Sequence, residues 1–354
     1  MMKEVKISSR DSRFELLRII SMFLIVLSHF GAHGKFDLFS NNISINKLWL
    51  QLICMGGTIG DNLFVLISGY FLIDISSIKI SRIIKLWLQI FTYSALIYLM
   101  SIFVGTRQFD IIELIKNLMP ITFERWWFPS TYFIMYLLSP LLNKMLKSID
   151  KKSFRRYLML LFLLWSIMPM VTNQYMQSNG LLWFVFLYSC AAYIRLYGLK
   201  YKENKCIVFS ILCFVVTYST VIVLDILGLY VNNVSKHSMY FYDKQYPFVF
   251  LTSVGIFVCF YNIKKIYSRK INSIASTTFG IYLISDNYIV NPILWHRLFK
   301  NSMWQDSSFL IIYTFFVVCT VFCICSIIEL IRKKVEIIYM KKVYLLDNIN
   351  YDWR

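Results

Sequence analysis

Three titratable side chains interrupt the first apolar stretch of the chain, which reads FELLRIISMFLIVLSHF over residues 14–30. In an α-helix, Arg18 and His29 fall within about 20° of the same face and about 16 Å apart along the axis. Glu15 precedes Arg18 by three residues and is therefore placed to pair with it. This face combines a guanidinium suited to binding anions with an imidazole that exchanges protons near neutral pH.

The composition shows why these charges are unusual. Apolar residues make up 58% of the chain and charged residues 16%, whereas soluble domains contain about 45–50% and about 25%. Apolar runs such as FLIIYTFFVVCTVFCICSIIELI are long enough to cross about 30 Å of hydrocarbon. We therefore predict an all-α, polytopic membrane helix bundle. An ionisable group inside such a bundle costs at least about 2.5 kcal/mol to insert, and therefore indicates a function.

We predict about ten transmembrane helices in a single domain spanning residues 1–354. Its core covers residues 10–332, and residues 1–13 and 333–354 form cytoplasmic tails. The predicted spans are 14–33, 50–73, 83–104, 127–146, 157–173, 180–197, 206–228, 246–262, 274–296 and 308–331.

The distribution of basic residues predicts the orientation of these helices. Of the 37 lysines and arginines, 27 fall in the two tails, in the connections after the even-numbered spans or within three residues of those connections, and nine fall in the other connections. Such a bias favours both termini on the cytoplasmic side. It also explains most of the formal net charge of +18 without a nucleic-acid partner.

The second span contains the polar sequence CMGGTIGDNLFVLISGYFL. Asp61 lies near its outer start, at about the depth of His29, where it could orient the imidazole and stabilise the charged form. Ser68 follows two turns deeper. Glycine-rich backbone at membrane depth is tolerated where it faces protein or a cavity.

Basic residues follow the second span in SSIKISRIIK. Lys79 and Arg82 lie at the predicted cytoplasmic surface, and topology alone is one explanation for them. The other is a binding site for an anionic cytoplasmic cofactor.

Two further pairs of residues are candidates for a site. Trp126 and Trp127 open the fourth span, where they fit either an outer aromatic belt or a binding surface. Asp286 and Asn287 lie within the ninth span, where helix packing does not readily explain them.

Motifs of several common enzyme classes are absent from the sequence. It contains no HExxH, no GxSxG and no GxxxxGK, and no cysteine–histidine spacing typical of zinc. We therefore expect no metal.

Four stretches together resemble the acyltransferase-3 family of integral membrane acyltransferases. ELLRIISMFLIVLSHF contains an Arg-x10-His signature formed by Arg18 and His29, and GDNLFVLISGYFL contains an F-x-x-I-S-G-Y motif. WWFPSTYFIMYLLSPLLN resembles the tryptophan-led fourth helix, and TFGIYLISDN resembles F-G-I-Y-L-I-H, with Ser285 in place of the histidine. The four occur in the family's order over residues 10–300.

The resemblance implies that the protein moves an acyl group, usually acetyl, from cytoplasmic acetyl-CoA or another acyl-CoA to a hydroxyl of an extracytoplasmic or lipid-linked glycan. His29 would be the general base and Asp61 would orient it, and Arg18 would take part in catalysis. Arg18, Lys79 and Arg82 would bind the phosphates of the coenzyme.

Five residues are expected on the acceptor side of such a site: Trp126, Trp127, Ser68, Asp286 and Asn287. The expected location is a bacterial plasma membrane, and polysaccharide assembly proteins are potential partners. Two other classes stay open, a transporter or flippase for a lipid-linked glycan and a membrane scaffold. The sequence does not identify the acceptor glycan.

Overall fold

The computed structural model describes residues 11–178, 180–199, 203–343 and 350–351. Most of the predicted N-terminal tail, residues 1–10, and residues 344–349 and 352–354 of the C-terminal tail lie outside these ranges. Regular structure in the described residues is helical apart from one antiparallel pair of two-residue strands, β1 (Ile78–Lys79) and β2 (Asn350–Tyr351).

The described ranges contain fourteen α-helices, which are labelled in chain order. They are α1 Ser12–His33, α2 Ile45–Leu72, α3 Ile80–Phe103, α4 Ile111–Leu118, α5 Trp127–Ser148, α6 Lys151–Phe162, α7 Met168–Thr172, α8 Leu181–Tyr197, α9 Glu203–Gly228, α10 Pro247–Asn262, α11 Arg269–Ala275, α12 Thr278–Ser285, α13 Val290–Pro292 and α14 Leu310–Val343. Two π-helical segments, Leu163–Ile167 and Ile293–Leu298, follow α6 and α13, and short 3-10 turns cover Ser235–His237, Tyr240–Tyr242 and Asn301–Trp304.

Six helical segments among the described residues are long and apolar enough to cross a membrane, and α8 and α10 are shorter apolar helices. Nine of the ten stretches predicted to span the membrane lie on helical segments, and the ninth is divided among shorter helices. The prediction of an all-α, polytopic membrane protein is therefore confirmed. Below, the two ends of the bundle are called the Arg18 end, which the charge bias predicts to face the cytoplasm, and the His29 end.

The glycine-rich part of the second span is a continuous helix that packs closely on α1. A Cβ added at Gly60 would lie only 2.6 Å from the backbone oxygen of Ser21, so no larger residue fits without moving the helices apart. Small residues allow this kind of close approach between membrane helices. The polar sequence around Asp61 therefore fixes α2 against the helix that carries His29.

The ninth predicted span is not one continuous helix, and this corrects the boundaries 274–296. Helix α12 ends at Ser285, and the chain continues through Asp286 and Asn287 before α13. The side-chain oxygen of Asn287 accepts a hydrogen bond from the backbone N–H of Ile289 at 2.9 Å. Such local side-chain bonds compete with helical hydrogen bonds, which explains why the helix stops here and leaves Asp286 at its end.

Buried ion pairs hold helices together at both ends of the bundle. At the His29 end, Lys47 on α2 lies 2.9 Å from Asp225 on α9, and both side chains are almost fully buried. At the Arg18 end, Glu329 on α14 pairs with Arg332 and accepts a hydrogen bond from Tyr93 on α3. Removing one partner of such a pair typically costs about 3–5 kcal/mol.

Candidate active site

Two histidines and one aspartate meet at the His29 end of the bundle. The Nε2 atoms of His29 and His33 lie 3.7 Å and 3.8 Å from Oδ1 of Asp286. His29 and His33 are one helical turn apart on α1, with ring centroids 5.1 Å apart, and Asp286 lies at the end of α12. The interruption of the ninth span thus positions a carboxylate beside His29, the α1 residue that the Arg-x10-His spacing selected.

The imidazole of His29 is largely buried beside a carboxylate. Its side chain is 14% exposed, and its Nδ1 atom is buried without a hydrogen-bond partner. At 3.7 Å, Nε2 is beyond hydrogen-bonding distance from Asp286, so it remains open to a substrate proton. The nearby carboxylate would stabilise the imidazolium once it forms.

Asp61 does not contact His29 as the sequence analysis expected. Its carboxyl group makes no hydrogen bond or ion pair with the other residues that the structure describes, and its electrostatic neighbours are Lys244 and Asp286. Asp286, which was expected to bind the acceptor, occupies the position beside the imidazole. Tertiary packing explains this difference between Asp61 and Asp286. Both α2 and α12 pack on α1, but of these two helices only α12, at its end, brings a carboxylate within 4 Å of His29.

Lys244 is a site residue that the sequence analysis missed. It lies just before α10, and its ammonium nitrogen is 3.5 Å from the ring centroid of Trp127. Burial lowers the pKa of Lys244, whereas the carboxylate of Asp61 acts to raise it. Lys244 thus interacts electrostatically with both Trp127 and Asp61. Because it lies in a loop, no helical spacing in the sequence indicated that it belongs to the site.

The two expected tryptophans have different environments. Trp127 is 38% exposed at the start of α5, whereas Trp126 is 3% exposed and its indole nitrogen is buried without a partner. Of the two, only Trp127 is exposed, and the ammonium of Lys244 lies over its ring. Trp126 instead packs within the hydrophobic core.

A cavity lies at the Arg18 end of the bundle, apart from the histidine–aspartate cluster. It encloses about 370 Å³ and is lined by four basic residues and by apolar, aromatic and small polar side chains. The basic residues are Arg18, Lys85, Arg332 and Lys333. Ser68 also lines it, and the Ser68 hydroxyl lies 3.2 Å from that of Tyr132. A cavity of this character suits an anionic ligand that also has an apolar part.

Three of these cations already have carboxylate partners. Arg18 pairs with Glu15 at 2.7 Å, and Lys85 pairs with Glu336 at 3.2 Å. Arg332 pairs with both Glu329 and Glu336. Lys333 instead donates a hydrogen bond to the backbone oxygen of Ser276, and it makes no ion pair within 4 Å in the part of the chain that the structure describes.

Lys79 and Arg82, the other expected coenzyme-binding residues, do not line this cavity. Lys79 belongs to β1, whose partner strand is β2 near the C-terminus. Arg82 is exposed in the first turn of α3, and its charge acts on Tyr136. The structure therefore brings Arg18 together with basic residues of α3 and α14 rather than with these two.

An aromatic layer separates the cavity from the histidines. Phe128 lines the cavity, and its ring centroid is 5.6 Å from that of Tyr282. Tyr282 in turn lies 6.0 Å from His29. Two rings, those of Phe128 and Tyr282, thus lie between the cation-lined cavity and the imidazole.

Ser285 and Asn287 flank Asp286 but are largely satisfied by local structure. The Ser285 hydroxyl is fully buried and donates to the backbone oxygen of Ile281 at 2.9 Å. Asn287 is 1% exposed, and its amide nitrogen is buried without a partner. Position 285 therefore contributes no reactive group, and the second imidazole near Asp286 is that of His33.

The histidine–aspartate cluster also has the donor types of a metal site. One ligand atom from each of His29, His33 and Asp286 lies within 4.8 Å of the other two. Two histidines and a carboxylate are common ligands of divalent transition metals. The sequence analysis selected His29 and Asp286 but not His33, although the four-residue spacing of the two histidines on α1 was the signal for this pairing. The absence of a metal stays a prediction.

Comparison with known proteins identifies the family. The acyltransferase-3 family model, described as an acyltransferase domain, matches residues 11–329. No curated protein and no solved structure matches the chain. The matched region contains the histidine–aspartate cluster and the residues that line the cavity at the Arg18 end, except Arg332 and Lys333, which lie beyond residue 329. The chain is therefore a member of the acyltransferase-3 family of membrane acyltransferases.

Proposed function

We propose that this acyltransferase moves an acetyl or other short acyl group from a cytoplasmic acyl-CoA to a hydroxyl of an extracytoplasmic or lipid-linked glycan. The observation that carries the proposal is the position of His29 and Asp286, 3.7 Å apart, across an aromatic layer from a cavity with four basic residues. In this arrangement one end binds a charged donor and the other activates an alcohol.

The cavity at the Arg18 end is the proposed donor site. Phosphates of acyl-CoA would bind near Lys333 and Arg18, because basic side chains form strong charge-assisted hydrogen bonds with phosphate oxygens. The pantetheine arm would pass Ser68 and Phe128 toward the His29 end. The separation of about 16 Å between Arg18 and His29 along α1 gives the arm's approximate path.

The cluster at the His29 end is the proposed reaction site. The glycan hydroxyl oxygen attacks the thioester carbonyl carbon while His29 Nε2 takes the hydroxyl proton. The C–S bond then breaks, and the imidazolium returns the proton to the departing thiolate. Asp286 stabilises the imidazolium between these steps, and Trp127 offers its exposed ring face to a sugar.

The expected biological setting follows from this chemistry. A donor on the cytoplasmic side and a glycan on the other side require a plasma membrane, and we propose that of a bacterium. Proteins that assemble surface polysaccharides are the proposed neighbours. We propose no nucleic-acid partner for this reaction.

Reconstitution tests the proposal directly. The full-length protein in proteoliposomes is supplied with radiolabelled acetyl-CoA on one side and envelope glycans on the other. We expect label in the glycan together with release of CoA thiol. Mass spectrometry of envelope glycans from a deletion strain should show the matching loss of an acyl group. Release of CoA without any labelled glycan, and unchanged glycans in the deletion strain, would contradict the proposal.

A further inference from the structure

An apolar groove opens toward the bilayer on the outer side of α12. It encloses about 370 Å³ and is lined almost entirely by apolar side chains. Leu96, Met100 and Val104 form one wall from α3, and Ile284 and Ile289 form the other on either side of the interruption after α12. The three α3 residues are each more than half exposed.

The length of the groove matches one leaflet of a bilayer. Its lining residues on α3 begin at Tyr93 and reach Val104, which is about 16 Å along the helix. One leaflet contributes about 15 Å of hydrocarbon. The groove therefore runs from about mid-membrane to the surface at the His29 end, a length that suits an extended hydrocarbon chain.

A cation lies at the surface end of the groove. Thr106 lines the groove, and the next residue, Arg107, is exposed with its guanidinium 4.8 Å from the ring centroid of Tyr288. Arg125 lies over the same ring but is paired with Glu113 at 2.6 Å. Among the residues that the structure describes, Arg107 has no carboxylate within 4 Å. It is thus available to bind a phosphate at the boundary of the hydrocarbon.

The groove and the histidine–aspartate cluster share one structural element. Ile284 lines the groove, and Asp286, two residues later, lies beside His29. The interruption of the ninth span therefore has the groove on its bilayer side and the imidazole on its inner side. A head group held at Arg107 would begin within a few residues' length of the reaction site.

We propose that this groove binds the lipid anchor of the acceptor, namely a polyprenyl chain joined through phosphate to the glycan. This inference rests on the proposed function, since it specifies how that function's acceptor is held. The groove lies between α3 and the region around the end of α12, and its volume of about 370 Å³ suits the one chain of a polyprenyl phosphate better than the two chains of a diacyl lipid. Arg107 binds the phosphate, and the attached sugar extends toward His29 and Asp286.

Native mass spectrometry of the full-length protein with polyprenyl monophosphate tests the binding without requiring catalysis. Because hydrogen bonds to charged groups contribute about 1.5–3 kcal/mol, Arg107→Gln should weaken binding by about tenfold or more. Leu96→Trp should fill the groove and abolish binding. Lys35→Gln, at an exposed lysine of the same end, is the matched control and should bind normally.

The same measurement distinguishes the sources of the lipid. Neutral polyprenol should bind more weakly than the phosphate and should not respond to Arg107→Gln. The proposal would be overturned if phosphatidylglycerol bound as tightly as polyprenyl monophosphate, or if Arg107→Gln and Leu96→Trp both left binding unchanged. Either result would mean that the groove holds only adventitious lipid. Transfer to a soluble, lipid-free glycan that persists in Leu96→Trp would support the proposed function separately, so the two failures can be told apart.

Discussion

His29 Nε2 lies 3.7 Å from Asp286 Oδ1, although the two residues belong to the first and ninth predicted spans. The distance is longer than a hydrogen bond, so Asp286 acts on the imidazole through its charge. Arg18 and His29 lie on one face of α1, and the carboxylate of Asp286, directly after the end of α12, lies beside His29 on that face. This pairing leads to the first prediction.

Asp286→Asn should reduce kcat more than Asp61→Asn does. An opposite charge about 4 Å away stabilises an imidazolium by roughly 1–4 kcal/mol, so the loss in Asp286→Asn should be on the order of tenfold or more. Steady-state kinetics with both variants, at matched expression, measures the difference. A greater loss in Asp61→Asn would return the orienting role to Asp61, as the sequence analysis expected.

Lys333→Gln should raise KM for acetyl-CoA and leave kcat nearly unchanged, because it removes a cation that contacts the donor equally in the ground and transition states. Arg82→Gln is the matched variant on the same end of the bundle, outside the cavity. Its KM should stay at the wild-type value. The opposite result, with only Arg82→Gln raising KM, would place the phosphate site where the sequence analysis put it.

Zinc ions should inhibit transfer, since His29, His33 and Asp286 can bind a divalent metal and a metal on Nε2 prevents proton transfer. His33→Ala removes one ligand and should shift the inhibitory zinc concentration upward by about tenfold or more. The same variant should retain most activity without zinc, and a chelator should restore the wild-type enzyme. Equal zinc sensitivity in both proteins would exclude the cluster as the inhibitory site.

Glu113 on α4, in the connection between α3 and α5, should make stability depend on pH. Partial burial acts to raise the pKa of Glu113, but hydrogen bonds from Lys116 and Arg125 hold it below its ordinary value of 4.5. A lowered pKa in the folded state stabilises the protein above the unfolded pKa, and the contribution disappears as pH falls through the folded value.

Glu113→Gln should therefore lower the Tm at pH 7, and the difference from wild type should vanish in acid. Thermal melts in detergent over a pH series measure this. Gln305→Ala, at a polar residue of the same end, provides a comparison whose Tm difference should not follow the Glu113 titration. A difference for Glu113→Gln that stays constant from neutral to acidic pH would contradict the assignment.

Helical periodicity was sufficient to predict part of the site. Arg18 and His29 fall on one face of α1 because eleven residues are close to three turns. The aromatic layer beside that face lies between the regions around these two residues. The all-α, multi-span fold followed from composition and from the length of the apolar runs. These predictions depend only on local geometry and hydrophobicity.

The other contacts of the candidate site depend on tertiary packing, which the sequence does not show. Asp61 was placed near the depth of His29 and Asp286 within the ninth span, but depth does not determine which carboxylate faces the ring. Lys333 was counted as a topology signal, because basic residues near the ends of spans are expected on the cytoplasmic side in any case. Lys244 reaches Trp127 from a loop, where no periodicity reveals it.

The central claim is that His29 takes the proton from the acceptor hydroxyl, and His29→Ala in reconstituted vesicles tests it most directly. Loss of a general base typically lowers the rate by about 10²–10⁴-fold. We therefore predict that labelled acetyl groups fail to reach the glycan in this variant, while acetyl-CoA still binds with the wild-type affinity. Undiminished glycan acetylation by a correctly folded His29→Ala protein would contradict the mechanism.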